Sequence, residues 1–216
     1  MRAAPQPDLR EAARLLDVGL KIVKLKPHLK APEGDDWNHR PATSIDKNAT
    51  GYGLLLQANK LCSIDPDRWD DAVVGMRALG FDLPALMNAG VRTRSTRPGS
   101  GGRTAFAAAG EICWLKFTSK TTGTVLELRA HSENLQDTIP GVVYATKDGT
   151  ICTQTYANGK RLDEVPPLPD DLFAWWERCA TDIEFLREQQ RMFFAAIGTA
   201  AQESISTGKT GGKLAF

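Results

Sequence analysis

The sequence predicts an α+β fold, with a strand-rich centre between an N-terminal helix and a long C-terminal helical stretch. Apolar residues recur at helical spacing over residues 8–18, 68–79 and from 168 onward. Residues 91–156 instead contain short alternating runs separated by Gly and Pro, which is typical of strands and turns. These two patterns place the candidate chemistry in the strand-rich centre.

Each element follows from local signals. The first helix has Asp8 as its expected N-cap and ends at Gly19, and a strand and a long loop follow it. Residues 51–57 and 60–65 are predicted to pair as a hairpin. The next helix ends at Gly80. Further strands are expected at 91–96, 103–108, 111–118, 124–129, 141–146 and 150–156, and a single helix from 168 to about 201.

Composition indicates an ordinary globular chain. Its 216 residues suffice for one sizeable core, and a hydrophobic fraction of 42% with 25% charged residues is common in soluble proteins. Apolar runs fall far short of the roughly 18 residues of a membrane span, and the N-terminus lacks a secretory apolar region. The widely spaced cysteines argue against a zinc knuckle or disulfide framework and predict a reducing, cytoplasmic location: Cys62, Cys113, Cys152 and Cys179.

Three acidic residues are the candidate metal ligands. Asp65 and Asp67 lie two apart at the end of an apolar run, so on a strand they would point to one side. Glu127 belongs to a second strand-like run. Oxygen ligands of this kind suit Mg²⁺ or Mn²⁺, and three carboxylates can hold two such ions. Two simpler interpretations remain open, a solvated turn favoured by Pro66 and a structural ion pair between Glu127 and Arg129.

A basic, Gly-rich loop separates these acids along the chain. Backbone N–H groups of Gly99–Gly102 can approach phosphate closely because no Cβ intervenes, and Arg103 can add a bidentate contact. Basic residues cluster nearby, as a nucleic-acid surface would require: Arg92, Arg94, Arg97, Lys116 and Lys120. A flexible hairpin tip and a solvated strand face are the alternative interpretations of the loop and the cluster.

This combination resembles the bifunctional primase-polymerase domains of phage and plasmid replication proteins, in the archaeo-eukaryotic primase superfamily. The resemblance runs from about Leu15 to Trp176. Several segments are similar to family motifs: Lys30-Ala-Pro with Trp37 to "K-x-P…W", Gly51-Tyr-Gly with Leu61–Asp67 to "G-x-G…h-D-x-D", Arg92-Thr93 with Gly101-Gly102-Arg103 and Phe106 to "T-x-S-G-G-x-H-x-x-F", Glu127-Leu128-Arg129 to the third-acid strand, and Ile139–Tyr144 to the segment after it.

The resemblance implies a split sheet like that of RNA-recognition motifs, joined to a small N-terminal α/β module, with the active cleft between them. It implies a DNA primase-polymerase that transfers nucleotides from triphosphates with two Mg²⁺ or Mn²⁺ ions, held by Asp65, Asp67 and Glu127. The residues expected at the nucleotide are Lys30, Ser100, Gly101, Gly102, Arg103, Thr104 and Arg129; those expected at nucleic acid are Arg92, Arg94 and Arg97. Expected partners are a single-stranded DNA template with primer and a replicative helicase, fused or separate, in a bacterial host cytoplasm.

The corresponding division of the chain is a catalytic domain over 1–168, a C-terminal helical segment over 169–203 and a disordered linker over 204–216. One position departs from the family pattern, because Thr104 stands where a phosphate-contacting histidine is expected. Either Arg103 compensates, His131 reaches in, or activity is reduced or lost. A non-catalytic nucleic-acid-binding module is therefore an alternative function, and a metal-dependent nuclease is a third.

Overall fold

The computed structural model describes residues 5–208 except 109 and 111, and for 202–208 the backbone alone. The fold is a mixed α+β arrangement with antiparallel sheets, as the sequence predicts. The helices are α1 Arg10–Asp17, α2 Trp69–Ala78, α3 Leu83–Ala89, α4 Asp170–Thr181 and α5 Ile183–Gly208. The strands are β1 Ile22–Lys24, β2 Tyr52–Leu55, β3 Leu61–Pro66, β4 Val91–Ser95, β5 Arg103–Ala107, β6 Leu115–Ser119, β7 Gly123–Arg129, β8 Gln136–Thr138, β9 Val143–Ala145 and β10 Ile151–Tyr156.

The strands form two sheets. The smaller sheet has the order β1-β2-β8, and the larger has the order β6-β7-β3-β5-β4-β10-β9. All neighbouring strands within each sheet run antiparallel. The predicted pair around the Gly-rich loop is confirmed, since β4 and β5 pair with Thr93 opposite Arg103. Strand β3 is an interior strand of the larger sheet, between β5 and β7.

The predicted hairpin of residues 51–57 and 60–65 is wrong. Strand β2 belongs to the smaller sheet, whereas β3 belongs to the larger one. Between them a 3₁₀ turn at Gln57–Asn59 ends with Lys60 in the left-handed region, at φ 53°. Alternating apolar residues identify both strands correctly but do not specify which sheet each strand joins.

The helix predictions over the first half of the chain are confirmed with small shifts. Leu9 rather than Asp8 precedes α1, and the Asp8 carboxylate accepts a hydrogen bond from the Arg10 N–H. Helix α2 is followed by Gly80 at φ 91°, as a left-handed helix terminus requires. Helix α3 and strand β8 were not predicted; the Asp82 side chain caps α3 by accepting from the Ala85 N–H.

The predicted single C-terminal helix is two helices. Asp182 separates them with extended backbone angles, and its carboxylate accepts a hydrogen bond from the Phe185 N–H at the start of α5. Helix α5 extends to Gly208, so the part of the predicted linker over 204–208 is helical, and 209–216 lies outside the described residues. Trp176 and Phe193 are fully buried with the larger sheet, so these helices belong to its core.

Two apolar cores lie on opposite sides of the larger sheet. One contains α2–α5 packed against side chains such as Ile64 and Leu128. The other joins α1 and the smaller sheet to strands β4, β5, β9 and β10. A cleft remains between the two sheets where the second core ends. In the described part of the chain, no helix has the length and apolar character needed to cross a membrane.

Candidate functional site

Three charged side chains form a row across the middle strands of the larger sheet. Asp65 on β3 is the direct partner of Glu127 on β7. On the other side of β3, the register that pairs Ile64 with Thr104 sets Asp65 opposite Arg103 on β5. Directly opposed residues of antiparallel strands project from the same face. Two of the predicted acids and the predicted arginine therefore lie side by side, although 62 residues separate the two acids in sequence.

Strand alternation explains this arrangement. The residues next to the charged ones, Ile64 and Leu128, are fully buried against the helices. Since successive side chains on a strand alternate between faces, burying these apolar residues turns Asp65 and Glu127 toward the cleft. The helix-packed core thus fixes the direction in which the charges point.

The acids are connected by an ion-pair network. Arg103 pairs with Asp65 through Nη2 and with Asp137 through Nη1 at 2.6 Å. Arg129 contacts Glu127 through Nη1 at 2.8 Å and Asp137 through Nε at 3.1 Å. The network, defined as these five residues, bridges the two sheets because Asp137 lies on β8 of the smaller one. At its outer end Lys116 lies 3.3 Å from Glu127.

The two aspartates at the end of β3 have pKa values that are shifted in opposite directions. Burial acts to raise the pKa of Asp65, but Arg103, with Arg129 and Lys30 further away, outweighs it and holds that pKa below its usual value. Asp67 is exposed, and its pKa is raised by partial burial and by the negative charges of Asp65 and Glu127. All three predicted acids are therefore close enough to interact.

The Gly-rich loop between β4 and β5 needs its glycines for packing. Gly102 has φ 81°, and a Cβ there would lie 2.6 Å from the Thr93 carbonyl oxygen. A Cβ on Gly101 would lie 2.9 Å from the Trp69 ring. The backbone can therefore reach the cleft only with glycine at these positions. The glycines are required for packing, and the loop backbone beside the cleft carries no side chain at these two positions.

The three arginines expected at nucleic acid differ in placement. Arg92 donates to the Gly101 carbonyl at 2.6 Å and lies over the Trp69 ring, while Arg94 donates to the Ser100 carbonyl at 3.0 Å. Both brace the loop. Arg97 is exposed and lines the cleft.

Thr104 does not line the cleft, and its expected role there is corrected. Its side chain is fully buried on the helix-packed face, beside Gly90, and its hydroxyl has no partner among the described residues. Arg103 points into the cleft in its place. Counted back from Phe106, Arg103 also stands three residues before the phenylalanine, where the family pattern has its histidine. An alignment that starts from the glycines instead places Thr104 at that position, one residue further along the strand.

The cleft holds a cavity of about 130 Å³ whose walls come from both sheets and the loop. It is lined by Lys30, Asp65, Pro66, Asp67, Ser95, Arg97, Ser100, Gly101, Gly102, Arg103, Thr138 and Gln154. Lys30 and Arg97 also border a neighbouring hollow of about 760 Å³ beside Tyr144, and the Lys30 ammonium lies 4.2 Å from that ring centre. His131 lines a different hollow, beside Lys60 and Ile112.

The donor chemistry at Asp65, Asp67 and Glu127 fits a hard divalent cation, since only carboxylate oxygens are offered. Burial, together with repulsion by Asp65 and Glu127, raises the Asp67 pKa, and a bound cation would relieve that repulsion. Their arrangement is not a preformed metal site: within the described ranges, no three His, Cys, Asp or Glu side chains form one. Instead, Arg103 forms an ion pair with Asp65, and Arg129 forms one with Glu127.

Asp137 is the charged site residue that the sequence prediction missed, and the uncharged cavity residues Ser95, Thr138 and Gln154 were not predicted either. Asp137 lies on a three-residue strand and is 8% exposed. The signal available was an acid between the apolar residues Leu135 and Ile139, which are both buried. Charged residues are rarely buried unless they are paired, so this pattern indicates a partnered carboxylate.

Comparison with known proteins adds no assignment, because no protein-family model and no curated protein matches the chain.

Proposed function

We propose that the protein is a metal-dependent nucleotidyltransferase, acting as a DNA primase-polymerase in phage or plasmid replication. The observation that carries this proposal is the pairing of Asp65 with Glu127 on adjacent strands, next to a basic loop whose backbone is exposed to the cleft. Acids from distant parts of the chain that meet on one sheet face, with Asp65 and Asp67 lining the adjoining cavity, are the minimal equipment for this chemistry.

Each side of the cleft has a role in the proposal. Asp65, Asp67 and Glu127 would hold the cations. Bound Mg²⁺ or Mn²⁺ would lower the pKa of the attacking hydroxyl and neutralise charge on the triphosphate. Arg97 and the loop backbone would bind the triphosphate, and Lys30 lines the same cavity.

Ion exchange is part of this mechanism. Arg103 and Arg129 now neutralise the acids, so a cation must compete with them. Once displaced, a guanidinium beside the cavity can form bidentate contacts with phosphate oxygens. The same arginines would therefore form ion pairs with the acids before substrate binds, and would contact the triphosphate afterwards. The proposed partners are a single-stranded DNA template, a primer and a replicative helicase. The proposed location is the cytoplasm of a bacterial host.

Primer extension on a single-stranded DNA template tests the proposal. With Mn²⁺ and labelled nucleoside triphosphates, the wild-type chain should extend the primer, while Asp65→Asn and Glu127→Gln should lose about 100-fold or more of the rate, since metal-derived stabilisation amounts to several kcal/mol. Glu133→Gln is the matched control, because Glu133 is an exposed acid paired with His39. Equal extension by wild type and the two cleft variants would refute the assignment, and primer shortening would indicate a nuclease.

A second candidate is a nucleic-acid-binding replication module without catalysis. The observation that favours it is the ion-pair network itself, in which Asp65 and Glu127 are already neutralised. This candidate predicts single-stranded DNA binding that weakens steeply with salt, as released counterions require, and no incorporation with either metal. Its motivation in the sequence was the absence of the family histidine, and that histidine is absent whether Thr104 or Arg103 is aligned with it.

A further inference from the structure

Asp137 holds both arginines of the candidate site through one oxygen. Its Oδ1 accepts from Arg103 Nη1 at 2.6 Å and from Arg129 Nε at 3.1 Å. The carboxylate comes from the smaller sheet, whereas both arginines come from the larger one. A single side chain of the smaller sheet therefore fixes the position of two cations on strands β5 and β7.

Because each arginine also donates to Asp137, fewer of its N–H groups are available to Asp65 and Glu127. Arg103 divides its two terminal nitrogens between Asp137 and Asp65. Arg129 divides three donors among Asp137, Glu127 and the Gln136 carbonyl. Without the Asp137 charge, both guanidinium groups would be free to turn fully toward Asp65 and Glu127, where Coulomb attraction is strongest at short distance.

Asp137 also sets the charge balance. Together with Lys116, the two arginines supply three cations directly paired in the cleft. Three carboxylates are paired with them when Asp137 is included, and two when it is not. Without Asp137 the paired groups would carry a net positive charge, which opposes binding of a divalent cation, although Asp137 does not itself line the cavity beside Asp65 and Asp67.

We propose that Asp137 is a positioning residue, which draws Arg103 and Arg129 partly off Asp65 and Glu127 and thereby keeps those acids available to a divalent cation. The proposal rests on the function proposed above. Because it concerns the protein without substrate, it can be measured as Mn²⁺ affinity, independently of nucleotide incorporation.

The experiment measures Mn²⁺ binding to the full chain by electron paramagnetic resonance of the free ion, without nucleotide. Asp137→Asn should weaken binding about tenfold, a size typical of coupled neighbouring charges. Arg103→Met should tighten binding, because it removes the competing cation from Asp65. Asp137→Glu keeps the charge and should restore most of the affinity. Asp163→Asn is the control, since Asp163 is likewise paired with an arginine, Arg14.

A combined variant separates positioning from a simple loss of charge. If Asp137 acts through the two arginines, Asp137→Asn should change affinity by less than about threefold in a background that carries both Arg103→Met and Arg129→Met, since the coupled term is then absent. An unchanged tenfold effect there would overturn the positioning role. If Asp137→Asn prevents folding, Arg103→Met carries the test alone, and unchanged or weaker Mn²⁺ binding by that variant overturns the proposal.

The outcomes also separate this proposal from the proposed function. Failure of the wild-type chain to bind Mn²⁺ would overturn both. Binding that disappears in Asp65→Asn but is unaffected by Asp137→Asn would overturn the positioning role and leave the metal site standing.

Discussion

The two faces of the larger sheet are made by the same strands but are stabilised by different interactions. On β3 and β7, Ile64 and Leu128 point to the helices and are fully buried, while Asp65 and Glu127 point to the cleft and are paired with cations. The helix-packed face is held by non-directional apolar burial. The cleft face is held by directed ion pairs whose desolvation offsets much of their attraction. The helix-packed face therefore contributes most of the free energy of unfolding, whereas a ligand can rearrange the ion pairs of the cleft face.

The largest expected effect lies on the helix-packed face. Trp176 is fully buried, and its indole N–H donates to the Cys113 carbonyl at 2.7 Å. Trp176→Ala should lower the free energy of unfolding by about 3–5 kcal/mol, measured by urea denaturation. Trp175→Ala is the matched control, since Trp175 is only partly buried and should cost less. A loss below about 1 kcal/mol for Trp176→Ala would remove the contrast between the faces.

The loop that shapes the cleft should show an intermediate effect. Gly102→Ala combines a positive φ with a contact to the Thr93 carbonyl, so it should cost about 1–3 kcal/mol of unfolding free energy. Gly99→Ala meets the same backbone penalty but no neighbour within 4 Å, so only about 1 kcal/mol should be lost. Comparing the two by thermal and urea unfolding isolates the packing requirement. Equal losses would mean that the loop does not press on β4.

Two cleft carboxylates should respond to pH with opposite signs. Because the Asp65 pKa is lowered in the folded protein, Asp65→Asn should lose about 1–2 kcal/mol at pH 7, and this loss should fade as pH falls below about 4. Because the Asp67 pKa is raised, Asp67→Asn should gain stability at pH 7, at most about 1 kcal/mol given its exposure.

The gain for Asp67→Asn should vanish as pH falls through the raised pKa, since the wild-type carboxyl is then protonated and no longer repelled. Urea unfolding at pH 7 and pH 3.5 measures both differences. Salt should shrink the Asp67 effect through screening. Effects of the same sign for the two aspartates would show that they do not share one charged environment.

The smallest effect is expected at Thr104. Its buried hydroxyl has no hydrogen-bond partner among the described residues, so Thr104→Val should change unfolding free energy by about 0.5 kcal/mol or less, in either direction. Thr93→Val is the control on the cleft face, where the Thr93 hydroxyl accepts from Gln154 and its loss should cost about 1 kcal/mol. Weakened triphosphate binding by Thr104→Val, measured by calorimetry, would contradict its placement on the helix face.

The sequence predicted what depends on neighbouring residues and missed what depends on distant ones. The turn of Asp65 toward one face follows from alternation, and the helix before Gly80 follows from its spacing. The separate sheets of β2 and β3, and the break at Asp182, depend on packing partners elsewhere in the chain. Thr104 was assigned to the wrong face because a one-residue shift on a strand reverses every side chain.

Asp137 shows the same limit within the site. Its neighbours give an acid in apolar surroundings, but its two partners, Arg103 and Arg129, lie on other strands. A loop motif could indicate phosphate chemistry, whereas the sharing of two guanidinium groups by one carboxylate appears only in three dimensions.

The interior position of β3 in the larger sheet has a consequence for biosynthesis. Both of its neighbours, β5 and β7, are translated after it, so the segment Leu61–Pro66 leaves the ribosome with two unsatisfied edges. An apolar strand waiting for its neighbours is open to intermolecular pairing, and its slow, non-local closure lengthens that exposure. Heterologous expression should therefore favour slow growth at low temperature or chaperone supply, and a chain terminated before β7 should collect in inclusion bodies.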